Sequence, residues 1–261
     1  MRKFILIRTY NDEDESVCIE LLKASVMNTL NHTFIRILLG INIMRVVYLA
    51  TIVLMLILIH TGLPLVYSIM VIFIPGIILY ISLYVKFLYE ATLVGFEVFE
   101  IPRIFPNDDS SRFWVAEAYE DHSLIDQEQD HRYIFMTEEN LNECTFDVSQ
   151  LNKKIVGIMS VCKSNCEPRG VLIKRLYVQR KYRRKGIGSQ FMNTAMYFAE
   201  EHGFECVKAI INEFQKVLVN FYDAKDFDLR IACRQSLLLS IMTYEYTYLT
   251  RHSNQNSYVY A

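Results

Sequence analysis

Charge is missing from one long stretch of this sequence. No Asp, Glu, Lys or Arg occurs in the 40 residues from 46 to 85. A soluble domain seldom goes that far without charge, whereas a helix needs about 20 apolar residues to cross a membrane once. The turn-forming sequence HTGLP at 60–64 divides the stretch into apolar segments 46–59 and 63–85. This pattern predicts two apolar helices joined as a hairpin.

The hairpin is expected to occupy residues 36–90 and to lie in a lipid bilayer. Two short crossings fit the pattern, and so does a re-entrant loop bent at Pro64 or at Pro75 and Gly76. A pair of deeply buried core helices is the alternative. Basic residues flank the stretch on both sides, which favours a cytosolic location for both ends; they are Arg36, Arg45 and Lys86.

Metal-binding patterns are missing as well. The six histidines do not cluster, and no Cys/His pairs stand at zinc-ligand spacing, so we expect no metal site. The net charge of −2 gives no general attraction to nucleic acid. The cysteines are scattered, which favours free thiols in a reducing compartment; they are Cys18, Cys144, Cys162, Cys166, Cys206 and Cys233.

The N-terminus lacks the features of a signal peptide, because the apolar run at 4–7 is too short and acidic residues follow it. Residues 2–9 are instead predicted to form a strand. Asn11 and the acids after it provide an N-cap and a favourable first turn for a helix. Residues 1–35 therefore begin an α/β domain.

The composition of residues 95–250 is that of a soluble α/β domain, and residues 251–261 form a polar tail. A polar, acidic loop is expected at 119–150. A helix is expected to end near Glu201, with Gly203 just beyond it. The other predicted elements are strands at 112–117, 154–161, 170–178 and 204–211, a helix at 214–225, and a final strand or pair of strands at 238–249.

A basic, glycine-containing turn separates the strand at 170–178 from the helix that follows it. Glycines let backbone N–H groups approach a diphosphate, and the N-terminus of the next helix directs its positive dipole at the same point. Neither G-x-G-x-x-G nor a P-loop sequence is present. The turn predicts a diphosphate cradle, with a solvated basic loop as the alternative; its residues are Arg183, Arg184, Lys185, Gly186, Ile187, Gly188 and Ser189.

The turn resembles the acetyl-CoA motif of the GNAT superfamily, Arg/Gln-x-x-Gly-x-Gly/Ala, at Arg183, Gly186 and Gly188. The resemblance implies a GNAT acyltransferase fold, an α/β (α+β) fold with a mixed central sheet flanked by helices. It also implies acetyl-CoA as co-substrate. In this superfamily the preceding strand hydrogen-bonds the pantetheine arm, and here its last residues are Leu176, Tyr177 and Val178.

A narrower resemblance spans almost the whole chain, through IRTYNDEDESVCIELL, the apolar hairpin, FWVAE, IVGIMSV, RRKGIG and Gln215. These features resemble the camello-like, N-acetyltransferase-8-type membrane enzymes. That family acetylates cysteine S-conjugates, aspartate or, in proposed members, lysines in the endoplasmic reticulum. The resemblance implies an integral membrane enzyme of the endoplasmic reticulum with its catalytic domain in the cytosol.

The same resemblance assigns the chemical roles. The superfamily's Leu-Tyr-x-x-x-Gly-Phe segment corresponds here to Phe221–Phe227, so Tyr222 would protonate the departing CoA thiolate, with packing as the alternative role. A backbone N–H near Val178 would stabilise the oxyanion. Glu213 is the candidate general base, or a solvated loop carboxylate. Arg175 would bind an acceptor carboxylate if its side chain does not merely lie on the sheet surface.

Two features depart from the family pattern. Asp226 replaces the glycine before Phe227, and Ile210 and Ile211 occupy positions that are often polar. They favour a second hypothesis, a catalytically weak membrane scaffold that binds CoA. A channel is excluded, because one hairpin cannot enclose a pore without oligomerising and the cradle would have no role.

The predicted fold sets the topology. The strand at 2–9 must pair with strands beyond the hairpin, so both flanks lie on one side of the membrane. Asn31 begins a formal N-glycosylation sequence, Asn-His-Thr. We expect neither Asn31 nor a sequence engineered into the tail to be glycosylated.

Overall fold

A computed structural model describes residues 3–40, 42–99, 110–120, 133–136, 151–164, 167, 169–212, 215–235 and 241–250 of the chain. The chain forms two compact units. The sheet unit contains Met1–Leu21 and most of the chain from Phe96 onward. The hairpin unit is built from Leu22–Gly95. The hairpin is thus an insertion within the chain of the sheet unit.

The described helices and strands are numbered in chain order. The helices are α1 (Glu15–Met27), α2 (Leu30–Gly40), α3 (Asn42–His60), α4 (Leu65–Met70), α5 (Ile74–Phe99), α6 (Ile187–Glu201) and α7 (Lys216–Asp223). The strands are β1 (Phe4–Thr9), β2 (Arg112–Glu120), β3 (Ile134–Met136), β4 (Asn152–Lys163), β5 (Gly170–Val178), β6 (Cys206–Asn212), β7 (Asp228–Gln235) and β8 (Ile241–Leu249).

The described strands form one mixed sheet in the order β3-β1-β2-β4-β5-β6-β8-β7. The pairs β1–β3 and β5–β6 are parallel, and the other neighbours are antiparallel. As predicted, β1 pairs with a strand beyond the hairpin, with Phe4 opposite Tyr119 and Thr9 opposite Trp114.

The main core lies between the sheet and one side of α6. Helical spacing gives α6 an apolar stripe, and the sheet contributes every second residue of its strands, because side chains alternate across a strand. The buried α6 residues are Ile187, Phe191, Met192, Ala195, Phe198 and Ala199. Val156, Met159, Val171 and Val207 are among the strand residues they join.

A buried ionic network fastens the N-terminal segment to β2. Arg8 makes two hydrogen bonds to Asp14, at 2.6 and 2.8 Å, and its Nε donates to Glu117 at 3.2 Å. Asp14 also accepts a hydrogen bond from the backbone N–H of Asn11, whose side chain accepts from the N–H of Asp12. The predicted cap at Asn11 is therefore present, in a short 3-10 turn that leads into α1.

The hairpin unit is apolar on its exposed surface. α3 and the stretch Leu65–Phe96 each have a mean hydropathy of 2.3 over an 18-residue window, and only 6% of each window is buried. The 19 residues of α3 rise about 28 Å, close to the thickness of a bilayer core. By length and composition, both helical stretches can cross a membrane. The turn at 61–64 separates them, where the sequence predicted a break.

Three strands and one helix differ from the predictions. β3 lies inside the segment predicted as a loop at 119–150, and β2 extends to Glu120; the remainder of that segment, 121–132 and 137–150, lies outside the described residues. β7 was not predicted, although Leu229, Ile231 and Cys233 alternate as in a strand. The predicted helix at 214–225 is shorter, Lys216–Asp223. The tail at 251–261 also lies outside the described residues.

Candidate active site

The turn between β5 and α6 depends on backbone that glycine adopts readily. A short 3-10 turn, Arg180–Tyr182, follows β5, and Arg184 then takes φ of 64°. Gly186, with φ of 91°, immediately precedes α6. Most side chains avoid this left-handed region because their Cβ crowds the following carbonyl. A side chain at Gly186 would also press against Phe135, whose ring lies 3.1 Å from the added Cβ.

The N-terminus of α6 keeps its backbone donors available. Gly186 provides no side-chain cap, and the first turn of α6 contains no acid. Ile187 is 1% exposed and anchors the helix in the core, so this residue serves the candidate cradle through its backbone N–H. A Cβ added at Gly188 would lie 3.7 Å from the Phe221 ring, an ordinary contact, so the fold itself does not require glycine there.

The sheet opens beside this turn. β5 and β6 pair only from Gly170–Cys206 to Ile173–Ala209, although β5 continues to Val178 and β6 to Asn212. Leu176, Tyr177 and Val178 therefore lie beyond the last β5–β6 pair and remain paired with β4 on their other side. The β5–β6 pairing therefore ends before either strand does.

The two arginines of the turn are both exposed. Arg183 donates from Nε to the Val178 carbonyl at 3.0 Å, and its guanidinium lies 5.7 Å from the centre of the Tyr177 ring. The guanidinium is thereby held at the end of β5.

The Lys185 side chain contacts two tyrosines. Its Nζ donates to the Tyr133 hydroxyl at 3.4 Å and lies 4.8 and 5.2 Å from the centres of the Tyr133 and Tyr182 rings. Both tyrosines donate hydrogen bonds to Glu120. Sequence reasoning missed Glu120 and Tyr133, which are 65 and 52 residues from Lys185.

Tyr222 is 2% exposed and lies in the main core. Its ring stacks on Tyr246 of β8 and makes edge contacts with Phe221 and Phe227. Since Phe221 also lies over Gly188, α7 brings Tyr222 next to the start of α6. Burial raises the pKa of Tyr222, so the phenol keeps its proton at neutral pH. Tyr222 thus combines a packing position with the protonation state of an acid.

Asp226 has the backbone of the glycine it replaces. Its φ is 58°, in the left-handed region, and the N–H of Phe227 donates to the carbonyl of Tyr222 at 3.3 Å. This hydrogen bond is typical of a helix end at which the residue before the donor has a left-handed backbone conformation. Glycine is the usual residue there, and Asp and Asn can also adopt that conformation. The departure at Asp226 therefore leaves the local geometry intact.

Arg175 lies on the face of the sheet opposite α6, because its neighbour Leu176 packs against the core. Ser160 stands directly opposite Arg175 on β4, and within the described part of the chain its buried hydroxyl has no hydrogen-bond partner. Sequence reasoning missed Ser160. Ile210 is 54% exposed near the opening, whereas Ile211 is buried. Glu213, the predicted base, lies outside the described residues.

In the described ranges, no group of three or more His, Cys, Asp or Glu side chains could hold a metal ion. Among the described residues, Cys18, Cys162 and Cys206 take part in no disulfide. Burial raises the pKa of Cys18 and of Cys206 to about 12, so both are protonated thiols at neutral pH.

The family of the domain follows from comparison with known proteins. Residues 98–227, which include the turn, the opening and Tyr222, match the Acetyltransferase (GNAT) family. The chain therefore carries a GNAT acetyltransferase domain, and its mixed sheet with flanking helices is the GNAT fold that the resemblance implied.

A curated relative is the probable N-acetyltransferase camello of Xenopus tropicalis. It is 30% identical over 86 residues, which are 33% of this chain and 39% of the relative, so the match spans about two fifths of that protein. This likeness agrees with the camello-like resemblance of the sequence.

Solved structures of similar fold include a GNAT acetyltransferase from Staphylococcus aureus MU50 and the PaiA N-acetyltransferase from Thermoplasma acidophilum, the latter in complex with coenzyme A. The first has 12% identity and a TM-score of 0.48 and covers 95% of this chain and 99% of its own. The second has 16% identity and a TM-score of 0.44 and covers 94% and 99%.

Proposed function

We propose that this protein is a membrane-anchored N-acetyltransferase that moves the acetyl group of acetyl-CoA to a primary amine. The observation that carries the proposal is the left-handed Gly186 at the start of α6, within the segment that matches the GNAT family. It leaves backbone N–H groups pointing out of a helix N-terminus beside an opened sheet. Anions bind favourably at such ends because the helix dipole and the free donors act together.

The residues around the turn fit a CoA diphosphate. The N–H groups of Ile187, Gly188 and Ser189 would donate to the phosphate oxygens, and Arg183 and Arg184 would offset the remaining charge. Beyond Ile173, the backbone of β5 no longer pairs with β6. The N–H of Gln179 donates to Val156 of β4, so the Tyr177 amide faces β4 as well, because backbone amides alternate between the two edges of a strand. The amides of Leu176 and Val178 face the other edge, where they would hydrogen-bond the pantetheine arm on either side of Tyr177.

The reaction needs three events at the opening. The neutral amine attacks the thioester carbon, and a new C–N bond forms while a backbone N–H near Val178 stabilises the oxyanion. The C–S bond then breaks, and the CoA thiolate takes the proton of the Tyr222 hydroxyl. The amine gives its surplus proton to water or to Glu213, and Tyr222 is reprotonated from solvent.

The acceptor is proposed to be an amino acid, a cysteine S-conjugate or a lysine-type amine. Arg175 supports an acceptor with a carboxylate, because it lies on the face opposite α6 near the end of the β5–β6 pairing. The buried Ser160 hydroxyl is the neighbouring donor on the same face. A carboxylate there would accept from the guanidinium and leave the amine directed toward the opening.

Membrane anchoring is supported by the composition of the hairpin unit. The side chains of α3 and α5 are mostly apolar and exposed, which is costly in water and favourable in lipid. Two crossings or a re-entrant loop keep both flanks on the cytosolic side, where acetyl-CoA is available. We place the enzyme in the endoplasmic reticulum by its resemblance to the camello-like family.

A thiol-release assay tests the activity. Microsomes containing the full chain would be given acetyl-CoA and a panel of cysteine conjugates, aspartate, polyamines and lysine peptides. We expect CoA release above the Gly188→Glu variant with at least one amine. CoA binding without turnover on any amine would favour the scaffold hypothesis.

A glycosylation reporter tests the topology. We expect no glycan at Asn31 or at a sequence engineered after His252. A glycan on the tail would place the domain in the lumen. A glycan at Asn31 alone would imply a single crossing, which the β1–β2 pairing does not permit.

A further inference from the structure

Four residues form a tyrosine cluster beside the diphosphate turn: Glu120, Tyr133, Tyr182 and Lys185. Tyr133 donates to one carboxylate oxygen of Glu120 at 2.5 Å, and Tyr182 donates to the other at 3.2 Å. The Lys185 ammonium lies over both rings and donates to the Tyr133 hydroxyl. The Lys185 ammonium is therefore held by attraction to the two ring faces and to the Glu120 carboxylate behind them, as well as by its hydrogen bond.

The cluster joins three parts of the fold. Glu120 ends β2, Tyr133 immediately precedes β3, and Tyr182 ends the 3-10 turn after β5. Tyr182 is buried, and Phe135 of β3 lies against the space beside Gly186. Tyr133 and the short edge strand β3 that follows it therefore lie beside the turn, Tyr133 at Lys185 and Phe135 at Gly186.

We propose that the tyrosine cluster is a positioning device for acetyl-CoA. It fixes the left-handed turn before the ligand arrives and keeps the Lys185 side chain out of the diphosphate site. Glu120, Tyr133, Tyr182 and Lys185 are positioning residues in this arrangement, and backbone N–H groups with Arg183 and Arg184 contact the ligand. The inference rests on the proposed function for its ligand, but not for its effect on the turn.

The protonation of the cluster agrees with this role. Burial, together with the charge and hydrogen bond of Glu120, raises the pKa of Tyr182 to about 12. Burial and the hydrogen bond to Glu120 also raise the pKa of Tyr133. Both hydroxyls therefore donate to the carboxylate throughout the physiological pH range. A turn fixed in advance loses less conformational freedom when the diphosphate binds.

The first arm of the test measures the turn without ligand. Hydrogen exchange of the amides at 186–189 would be compared in the full-length wild type, Tyr133→Phe and Glu120→Gln, purified in detergent. We expect about tenfold faster exchange in both variants, because each loses a hydrogen bond to a charged group. Tyr197→Phe is the matched control, since Tyr197 lies on α6 and is 67% exposed. Unchanged exchange in both variants would overturn the proposal.

The second arm measures acetyl-CoA. We expect Glu120→Gln and Lys185→Met each to raise KM, and the Kd of CoA by calorimetry, about tenfold, with kcat unchanged. Lys185→Arg should keep most of the affinity, because it retains a cation that stacks on the rings. The double variant should be no weaker than either single one, since the residues act through one cluster.

Two results would contradict the proposal here. Additive losses in the double variant would mean that Lys185 contacts the diphosphate independently of the cluster. A lowered kcat at unchanged KM would mean that the cluster acts on the chemical step. If the wild type bound no CoA, the proposed function would fail, and the exchange rates alone would decide whether the cluster fixes the turn.

Discussion

The sheet unit and the hairpin unit differ in where they place charged and apolar side chains. In the sheet unit, Glu117 is buried and paired with Arg8, and Lys208 is buried between Glu167 and Glu245 at 2.7 and 2.8 Å. The hairpin contains no charge from 46 to 85, and most of its large apolar side chains are exposed. Under the proposed function, the sheet unit faces water and the hairpin unit faces lipid.

If the hairpin anchors the protein as proposed, this difference also separates the chemistry from the membrane anchor. The strand ends, the helix N-terminus and the tyrosine that compose the candidate site all belong to the sheet unit. We infer that substitutions in the hairpin will change where the protein resides, whereas substitutions in the sheet unit will change what it catalyses or how well it folds. The predictions below compare matched residues in the two units.

The largest effect is expected at Tyr222. Tyr222→Phe should lower kcat by about 10²- to 10⁴-fold with little change in CoA binding, because the general acid is lost and the packing ring is kept. Steady-state release of the CoA thiol, with the amine that gives the highest wild-type rate, measures this change in kcat. Tyr84→Phe, at an exposed tyrosine of α5, is the matched control and should leave kcat unchanged. Full activity of the Tyr222 variant would assign that residue to packing alone.

The next effect concerns buried charge. Arg8→Met leaves Glu117 and Asp14 buried with one cationic partner fewer, so we expect a loss of about 3–5 kcal/mol in the free energy of unfolding. Lys86→Met breaks the exposed Lys86–Glu90 pair of α5 and should cost about 0–1 kcal/mol. Denaturant unfolding in detergent, followed by Trp114 fluorescence, compares them. Equal losses would contradict the distinction between the units.

The same network gives a pH dependence. Burial alone would raise the pKa of Asp14, but hydrogen bonds from Arg8 and the Asn11 N–H outweigh it, and the pKa lies below the usual value. Because the pKa of Asp14 is lower in the folded protein than the value of about 3.9 in the unfolded chain, its carboxylate stabilises the folded state at any pH above the unfolded pKa. This stabilisation is lost as the pH falls through the folded-state pKa. Unfolding midpoints measured from pH 6 to pH 2 should fall steeply in the wild type and less in Arg8→Met.

A charge placed on exposed apolar surface should act differently in the two units. Leu54→Arg, in the middle of α3, should disfavour membrane insertion by about 3–4 kcal/mol. Val217→Arg, on α7, places the same charge at a residue that is 75% exposed and should not change membrane association. Carbonate extraction of microsomes measures both. Loss of extraction resistance in both variants, or in neither, would break the comparison.

The smallest effect is expected at the helix ends, because one helix in each unit ends with the same left-handed backbone conformation. Gly62 after α3 and Asp226 after α7 are both left-handed, and the next N–H bonds back to Leu58 and Tyr222, respectively. Asp226→Gly should stabilise the sheet unit by no more than about 1 kcal/mol, because the relieved strain is offset by glycine's greater freedom when unfolded. Gly62→Asp should have the opposite sign. Thermal midpoints would detect shifts of a few degrees.

The sequence predicted those features whose signals are local. The strand at 170–178 is observed with the same bounds, since alternating apolar residues and the glycine turn mark both of its ends. The break between the apolar helices is marked by Gly62 and Pro64 in the same way. The roles of Tyr222, Arg175 and the turn residues stay predictions until they are tested by mutation.

The remaining features depend on contacts between distant residues. β3 has only three residues and no local periodicity, so pairing with β1 defines it. The direction of Lys185 depends on Tyr133 and Glu120, which no spacing rule connects to it. The bulge that shifts the β4–β5 register between Ser160 and Val161 is likewise set by two strands together.

The inserted hairpin has a consequence for synthesis. β1 is made first, but its antiparallel partner begins at Arg112, about 100 residues later. At about 5–20 residues per second, the ribosome needs roughly 5–20 s to supply that partner. Both apolar helices emerge in that interval, so under the proposed anchoring they would enter the bilayer before β1 can pair with β2. The apolar half of β1 must wait in an unpaired state, which makes this N-terminal segment the one most exposed to chaperones and to mispairing while the chain is being made.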